Sequence, residues 1–486
     1  AIDNLMNYQT NMLENFWEVR YKGIFRANMA IETLDNCTGY ESEAQRNHFK
    51  GEAYFLRAMF YYEMASLYGQ VPLVLSTEAQ DLPKAEPEAI YAQIAADLEM
   101  AIDLMYDRPY DAVEDGHATK WAAQALMARV FLFYTGFYDS ADLPVAGEDG
   151  SVSGSITKEQ VVGWLEDCIN NSGHKLVEDF RELWVYTNEY TVEDYEYTAG
   201  EGLDWVENNG GVNPESMFSI KYSNFADWGT TIGYSNQYML YWGLRGGQPY
   251  EDTFPFGQGW GHGPVVPTLW DEWEQEEPDD MRRKASIIDI PDELPDYTKG
   301  LWEFVQETDY WQKKYCPVSA IDSEGNYVST YSVLMYGHDD DMQLGHVNDL
   351  ILIRYADVLL MHSELTETAT QMNKVRDRAG LDPVSYTDEN LLHERRWELS
   401  FEGVRWNDIR RWGIAADELE DQAGVDVYYF GEPNTNKPQS TAGYAGRYDA
   451  TKGFFPIPES QISLSEELTQ NEGWGTPDAN FSGWTN

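Results

Sequence analysis

The sequence predicts a mostly α-helical protein: a tetratricopeptide-like solenoid of helix pairs carrying one large, loop-rich insertion of mixed structure. Three observations lead there. Apolar residues recur at helical spacing from about residue 16 to 136. Within that block KGEAYFLRAMFYY, from Lys50, aligns with KWAAQALMARVFL, from Lys120, so that Ala53, Leu56 and Ala58 fall opposite Ala123, Leu126 and Ala128. The offset is 70 residues, Lys50 to Lys120, close to twice the ~34-residue tetratricopeptide period. Finally, the periodicity fades between about 178 and 345 and returns from 348.

In chain order, helices are expected at about 16–34, 43–68, 88–105 and 117–134. Small residues at facing positions let neighbours approach closely, as a stacked solenoid requires, although a plain antiparallel bundle fits the same periodicity. A Gly/Ser-rich loop at 147–155 precedes a further helix at 158–170. The chain then becomes rich in Gly, Pro, Tyr, Trp and acids, with strand candidates in MFSIKYS from Met217 and YWQKKYC from Tyr310. Helical order returns at 348–368, in MNKVRDRAGL with its terminal Gly380, and in 391–413, read as one helix capped by Thr387 and closed by Gly413. Residues 425–448 read as irregular and GFFPIPES as an extended packing segment. The division is a helix-pair scaffold at 1–175, the insertion at 176–345, scaffold helices at 346–413 and a packing segment at 414–486, expected to form one compact unit.

One face of 391–413 carries Leu391, Glu394, Glu398, Glu402, Arg405, Ile409 and Trp412, so carboxylates interrupt a stripe suited to burial. Glutamates four residues apart repel unless cations intervene. Arg395 and Arg405 on the same segment, with Arg354 from the preceding one, supply cations, which predicts a buried or half-buried ion network tying two helices together. An acid/base cluster is the other reading, but interleaved arginines would keep these carboxylates ionised and poorly suited to proton transfer.

These residues also carry a resemblance. IRYADVLLM at 353–361, NKVRDRAGL at 373–381, HERRWELSFEGVRWNDIRRWG at 393–413 and GFFPIPESQI at 453–462 closely resemble the SusD/RagB family of surface glycan-binding lipoproteins of Bacteroidetes. WEVRYKGIFRANMAIE at 17–32 and AYFLRAMFYYEMASLYGQVPLV at 53–74 agree with it. The resemblance covers roughly two-thirds of the chain, at both ends; the middle matches only in patches. It implies a non-catalytic protein on the outer face of the outer membrane, capping a SusC-like TonB-dependent transporter and delivering oligosaccharide to it. It also implies a lipid-attachment Cys near the mature N-terminus; none precedes Ala1, so the chain is expected to be truncated.

Composition bounds the ligand. With 33 Lys plus Arg against 84 Asp plus Glu, a net charge of −51 excludes counterion-release binding to nucleic acid and repels polyanions over most of the surface. Neutral ligands are favoured, and a laminarin-like neutral β-glucan is the leaning. The three cysteines, Cys37, Cys168 and Cys316, show neither disulfide nor zinc spacing and are expected as buried thiols. No cofactor or metal site is expected: GHDDDMQLGH at 337–346 lacks the glycine position and terminal Glu of a calcium loop, and there is no GxSxG, HExxH, phosphate loop or dinucleotide fingerprint.

Sugars present apolar C–H faces edged by hydroxyls, so their sites need flat rings flanked by donors and acceptors. The stretch 238–264 supplies Tyr241, Trp242, Tyr250 and Trp260 among glycines and prolines, with Arg245 close by; Trp228 is a weaker candidate. The same rings could instead hold loops together. Trp270 and Trp273 read as helix packing. Two other functions stay open: a glycoside hydrolase, which needs two carboxyl groups about 5–10 Å apart, and a helical-repeat scaffold binding peptides, which leaves the Trp-rich insertion unexplained. The acidic surface suits a salty, marine habitat, where repulsion is screened. Melting temperature is therefore expected to be higher at seawater ionic strength than at low salt; equal stability would remove that inference.

Overall fold

The computed structural model describes residues 13–223, 235–301, 306–337, 339–438 and 443–474. The chain divides into two compact units, Ala1–Gly173 with Trp406–Ala423 and Lys437–Asn486, and His174–Arg405 with Gly424–Asn436. In the first, α1 (Glu14–Thr33), α2 (Glu43–Tyr68), α3 (Pro87–Leu104), α4 (Lys120–Phe137) and α5 (Lys158–Asn171) each pack on the next, the helix-pair scaffold the sequence predicts. Caps fix the starts: Ser42, Thr119 and Thr157 accept the amides of Gln45, Ala122 and Gln160, and Pro87 opens α3. Ala53, Ala58, Ala123 and Ala128 are all buried. Arg57 forks onto Asp97 at 2.7 and 2.6 Å and donates to Asn28 Oδ1 at 2.8 Å, so one satisfied guanidinium joins α1, α2 and α3. The expected loop at 147–155 is instead part of a hairpin, Leu143–Ala146 with Val152–Ile156. Four exposed residues in a row, 152–155, removed the alternation that marks a strand. Cys168 and Cys316 are buried, but Cys37 is exposed just beyond the end of α1, contrary to expectation.

The second unit has its own core, built on Trp184, Tyr186, Phe256, Trp311 and Tyr315. Trp273 stacks on Trp397 at 5.0 Å and Trp270 on Tyr310 at 4.8 Å, so both indoles of the helix Pro267–Glu276 are buried packing. Two elements correct the sequence reading. The helix expected from 348 begins only at Tyr355, because Leu350–Arg354 pairs antiparallel with Ser216–Ile220 and buries the alternate Ile351 and Ile353. The irregular 425–448 contains a hairpin, Asp426–Tyr429 with Glu432–Thr435, and a helix, Gly443–Thr451. Its two-residue turn places both Phe430 (φ +54°) and Gly431 (φ +76°) in the left-handed region.

The expected single helix over 391–413 is two: Asp388–Glu398, capped by Thr387, and Arg405–Arg411. In a continuous helix the Glu398 carbonyl would accept the Glu402 amide. Here Lys314 Nζ (2.8 Å) and Arg354 Nη2 (3.1 Å) take that carbonyl, the Glu402 amide turns back to Leu399 O, and Gly403 (φ +80°) redirects the chain.

The same groups form a buried cluster. Glu398 accepts from Arg282 (2.9 Å), Arg354 (2.6 Å) and Arg378. Glu394 accepts from Arg282 (2.6 Å) and Arg376 (3.2 Å), and Glu402 from Arg354 and Lys314. Glu215, beside the paired strands, bonds Arg354 and Arg378, each at 2.8 Å, while Asp280 clamps the far side of Arg282. Arg395 donates to Asp357 at 2.8 Å; Arg405 stands half-buried at the first position of the next helix. Burial alone would push Glu398 up, but the guanidinium groups of Arg378, Arg354 and Arg282 outweigh it and hold it well below the ordinary carboxylate range. Burial also pulls the Lys314 ammonium down to about 8.

Removing the shared acceptor takes a partner from each of three buried cations and leaves the cluster with an uncompensated positive charge, so Glu398→Ala should lose about 3–5 kcal/mol in urea unfolding followed by tryptophan fluorescence. Glu398 is depressed in the fold, so its contribution is complete above its unfolded value of ~4.3 and is lost as pH falls through the folded one. Stability measured against pH should therefore fall less steeply in acid for Glu398→Gln than for the wild type.

Candidate functional site

The short helix α6 (Gln237–Trp242) starts at Asn236, whose side chain accepts the Tyr238 amide at 3.1 Å and donates to Asn348 O at 3.0 Å, while its own amide bonds His346 O at 2.7 Å. Gly243 then turns the chain into Leu244–Arg245, which pairs in parallel with Gln258–Gly259. The returning strand is stitched onto α6: Trp260 N–H bonds Leu240 O at 2.9 Å and His262 N–H bonds Tyr241 O at 2.9 Å. Only glycine fits at 259, where a Cβ would lie 2.2 Å from Leu240 O. This close approach sets Trp260 beside Tyr241.

Tyr241 and Trp260 are 44% and 36% exposed, and their rings meet edge-to-face with centroids 4.6 Å apart at 80°. The His262 ring lies 5.9 Å from Tyr241. Burial, aided by the charge of Arg245, holds His262 below its ordinary value and therefore neutral at pH 7. Arg245 is half-buried; its Nε is enclosed without a hydrogen-bond partner and the side chain forms no ion pair among the described residues. Two displayed rings with an imidazole beside them can stack on an apolar C–H face while hydrogen-bonding hydroxyls at its rim.

The other sequence candidates lie apart from this pair. Trp242 is half-buried against Tyr238 at 5.4 Å, and its carbonyl accepts the Trp311 indole N–H at 2.8 Å, so it supports the turn from below. Tyr250 is half-buried, its phenol pushed up by burial and by Asp340, and it makes no ring contact with Tyr241 or Trp260. Trp228 lies outside the described residues. His262 was not anticipated: a lone histidine in WGHGP carries no signal until the strand is folded back. Arg282, Arg378, Lys314 and Glu215 were missed from the ion cluster because each is far in sequence from the glutamates it meets.

Residues 186–474 match the family model described as the SusD family, and residues 1–132 match one described as starch-binding associating with outer membrane. SusD-like protein P25 of Formosa agariphila is 24% identical over 89% of this chain and 75% of its own length. Among solved structures, a laminarin binding SusD-like protein has a TM-score of 0.68 at 23% identity, covering 94% of this chain and 85% of that one. Surface glycan-binding protein A from Bacteroides thetaiotaomicron, in complex with laminarihexaose, has a TM-score of 0.70 at 22% identity, covering 97% and 88%. These structural likenesses show the fold.

The packing separates support from display. Trp242→Ala should lower the melting temperature, whereas Trp260→Ala should leave it nearly unchanged. Gly259→Ala, which forces a methyl into the Leu240 carbonyl, should cost about 1–3 kcal/mol and red-shift the tryptophan emission as the strand lifts.

Proposed function

We infer that this chain, which belongs to the SusD family, is a non-catalytic cell-surface glycan-binding protein that captures oligo- or polysaccharide and passes it to a SusC-like TonB-dependent transporter. The observation that carries this reading is the displayed Tyr241–Trp260 pair with His262 beside it and Arg245 on the strand that pairs with Gly259. The favoured ligand is a neutral β-glucan of the laminarin kind. The net charge of −51 disfavours polyanions, and two of the similar structures are named for laminarin or laminarihexaose. Attachment to the outer face of the outer membrane by an N-terminal lipid accords with the description of the model matching 1–132, and no described helix is long and apolar enough to cross a membrane.

Hydrolysis is the second reading, and one observation favours it. Half-buried Glu207 is pushed up to about 8 by burial and by the charge of Asp349, so it is protonated at neutral pH as a general acid must be. Asp349 is bonded to Lys221 at 2.9 Å and Ser219 at 3.1 Å, which fits a structural pair equally well.

Native gels containing laminarin, other neutral glucans or sulfated polysaccharides distinguish these. The expected result is retardation by laminarin that Trp260→Ala weakens by about tenfold or more, with no reducing ends released. Stronger retardation by a sulfated polymer would overturn the neutral preference. Reducing ends produced by the wild type but not by Glu207→Gln would establish the hydrolase.

A further inference from the structure

In the first unit, His48 and Glu52 stand one turn apart on α2, and His117 enters from the loop leading into α4. One ligand atom from each of the three, a ring nitrogen or a carboxylate oxygen, lies within 4.8 Å of the other two. His117 Nδ1 is 2.9 and 3.0 Å from the two Glu52 oxygens, and Glu52 Oε1 also accepts the Ala118 amide at 2.7 Å. His48 is 1% exposed; its Nδ1 accepts the Tyr106 amide at 3.2 Å, and its Nε2 is buried with no hydrogen-bond partner among the described residues. The Tyr106 ring stacks on His48 at 4.1 Å and fixes its plane.

Tying the loop to α2 explains the Glu52–His117 contact. It does not explain a second imidazole, fully buried, brought into the same cluster with a nitrogen left idle, because an unpaired buried polar atom is destabilising. Two imidazoles and one carboxylate are the donor set of zinc sites that use three protein ligands and leave a fourth position open. Such nitrogen donors select against calcium and magnesium, which take oxygen. Arg108, over the Tyr106 ring at 3.9 Å, opposes a further cation, and the Glu52 carboxylate offsets it. We propose that His48, Glu52 and His117 bind a zinc-class divalent cation, which pins the loop at 105–118 to α2.

Loading has a local signature. If Nδ1 of His48 takes the ion, its lone pair is withdrawn from the Tyr106 amide; if Nε2 takes it, the ring proton moves to Nδ1, which can no longer accept. The Tyr106 amide bond is exchanged on either route.

The test is titration of the whole chain, stripped by a chelator, with Zn2+ alone and with Co2+ alone. One stoichiometric zinc site is expected, with the intense visible bands of four-coordinate Co2+ and faster hydrogen exchange at the Tyr106 amide in the zinc form. Glu52→Gln and His117→Ala should each weaken zinc by at least about tenfold and abolish the cobalt bands. Absence of a stoichiometric site, weak six-coordinate cobalt bands in the wild type, or zinc binding unchanged in both variants would overturn the proposal, the last marking diffuse binding by surface acids. The wild-type cobalt spectrum decides the matter even if a variant fails to fold.

Discussion

Glu398 accepts hydrogen bonds from three guanidinium groups inside the second unit, and the arrangement stands only if all of its members are present. Each buried ion costs several kcal/mol to dehydrate, and the attraction among ions recovers that only with complete pairing. The participants come from well-separated stretches, at 215, 280–282, 314, 354, 376–378 and 394–402. Long-range order is therefore enforced by charge: a register slip in any one stretch leaves an ion unpaired in a dry interior. The cluster also writes local structure. By occupying the Glu398 carbonyl, Arg354 and Lys314 end a helix that side-chain periodicity alone would extend.

Two short paths connect this cluster to the displayed rings. Arg354 closes the strand Leu350–Arg354, and just before that strand the carbonyls of His346 and Asn348 hold Asn236, the cap of α6. Lys314 follows the strand Tyr310–Gln312, whose Trp311 donates its indole N–H to the Trp242 carbonyl at the other end of α6. A six-residue helix has little stability of its own. Here it is fixed at both ends by groups adjoining the ion cluster, which keeps Tyr241 oriented without a core beneath every residue. A ring platform benefits from this, because rigidity reduces the ordering cost of binding.

The helical scaffold was legible because it obeys local rules: caps at Ser42, Thr119 and Thr157, Pro87 at a first turn, and alanines at facing positions. Illegible elements were those that local rules do not describe. The Phe430–Gly431 turn places a bulky residue at a left-handed position where Asn or Asp is the usual signal. The strand 350–354 runs directly into a helix at Tyr355 with no turn residue between, so its alternation is swallowed by the helical run that follows. At the candidate site, Tyr241 and Trp260 were visible as a surplus of rings among glycines, but their pairing rests on Gly259 and on backbone bonds from Trp260 to Leu240 and from His262 to Tyr241, distant in the chain. The partners of Glu398 on other segments were hidden for the same reason, and so was the cluster of His48 and Glu52 with His117, whose spacing across a whole helix matches no metal motif.

Charge distribution then bears on the kind of saccharide such rings would hold. The cations of the ion cluster are buried and matched by as many carboxylates, so the net charge of −51 falls on the rest of the chain. A polymer bearing a sulfate or carboxylate on each residue meets that field along its whole length, within a screening distance of about 8–10 Å, while Arg245 attracts it at one point only. A neutral glucan meets no such opposition. To it Arg245 would be a set of rigid donors, and His262, being neutral, would offer one nitrogen as donor and the other as acceptor. On the proposed reading, the same guanidinium that would be a weak anion trap on an acidic surface would serve an uncharged ligand as a donor to its hydroxyls.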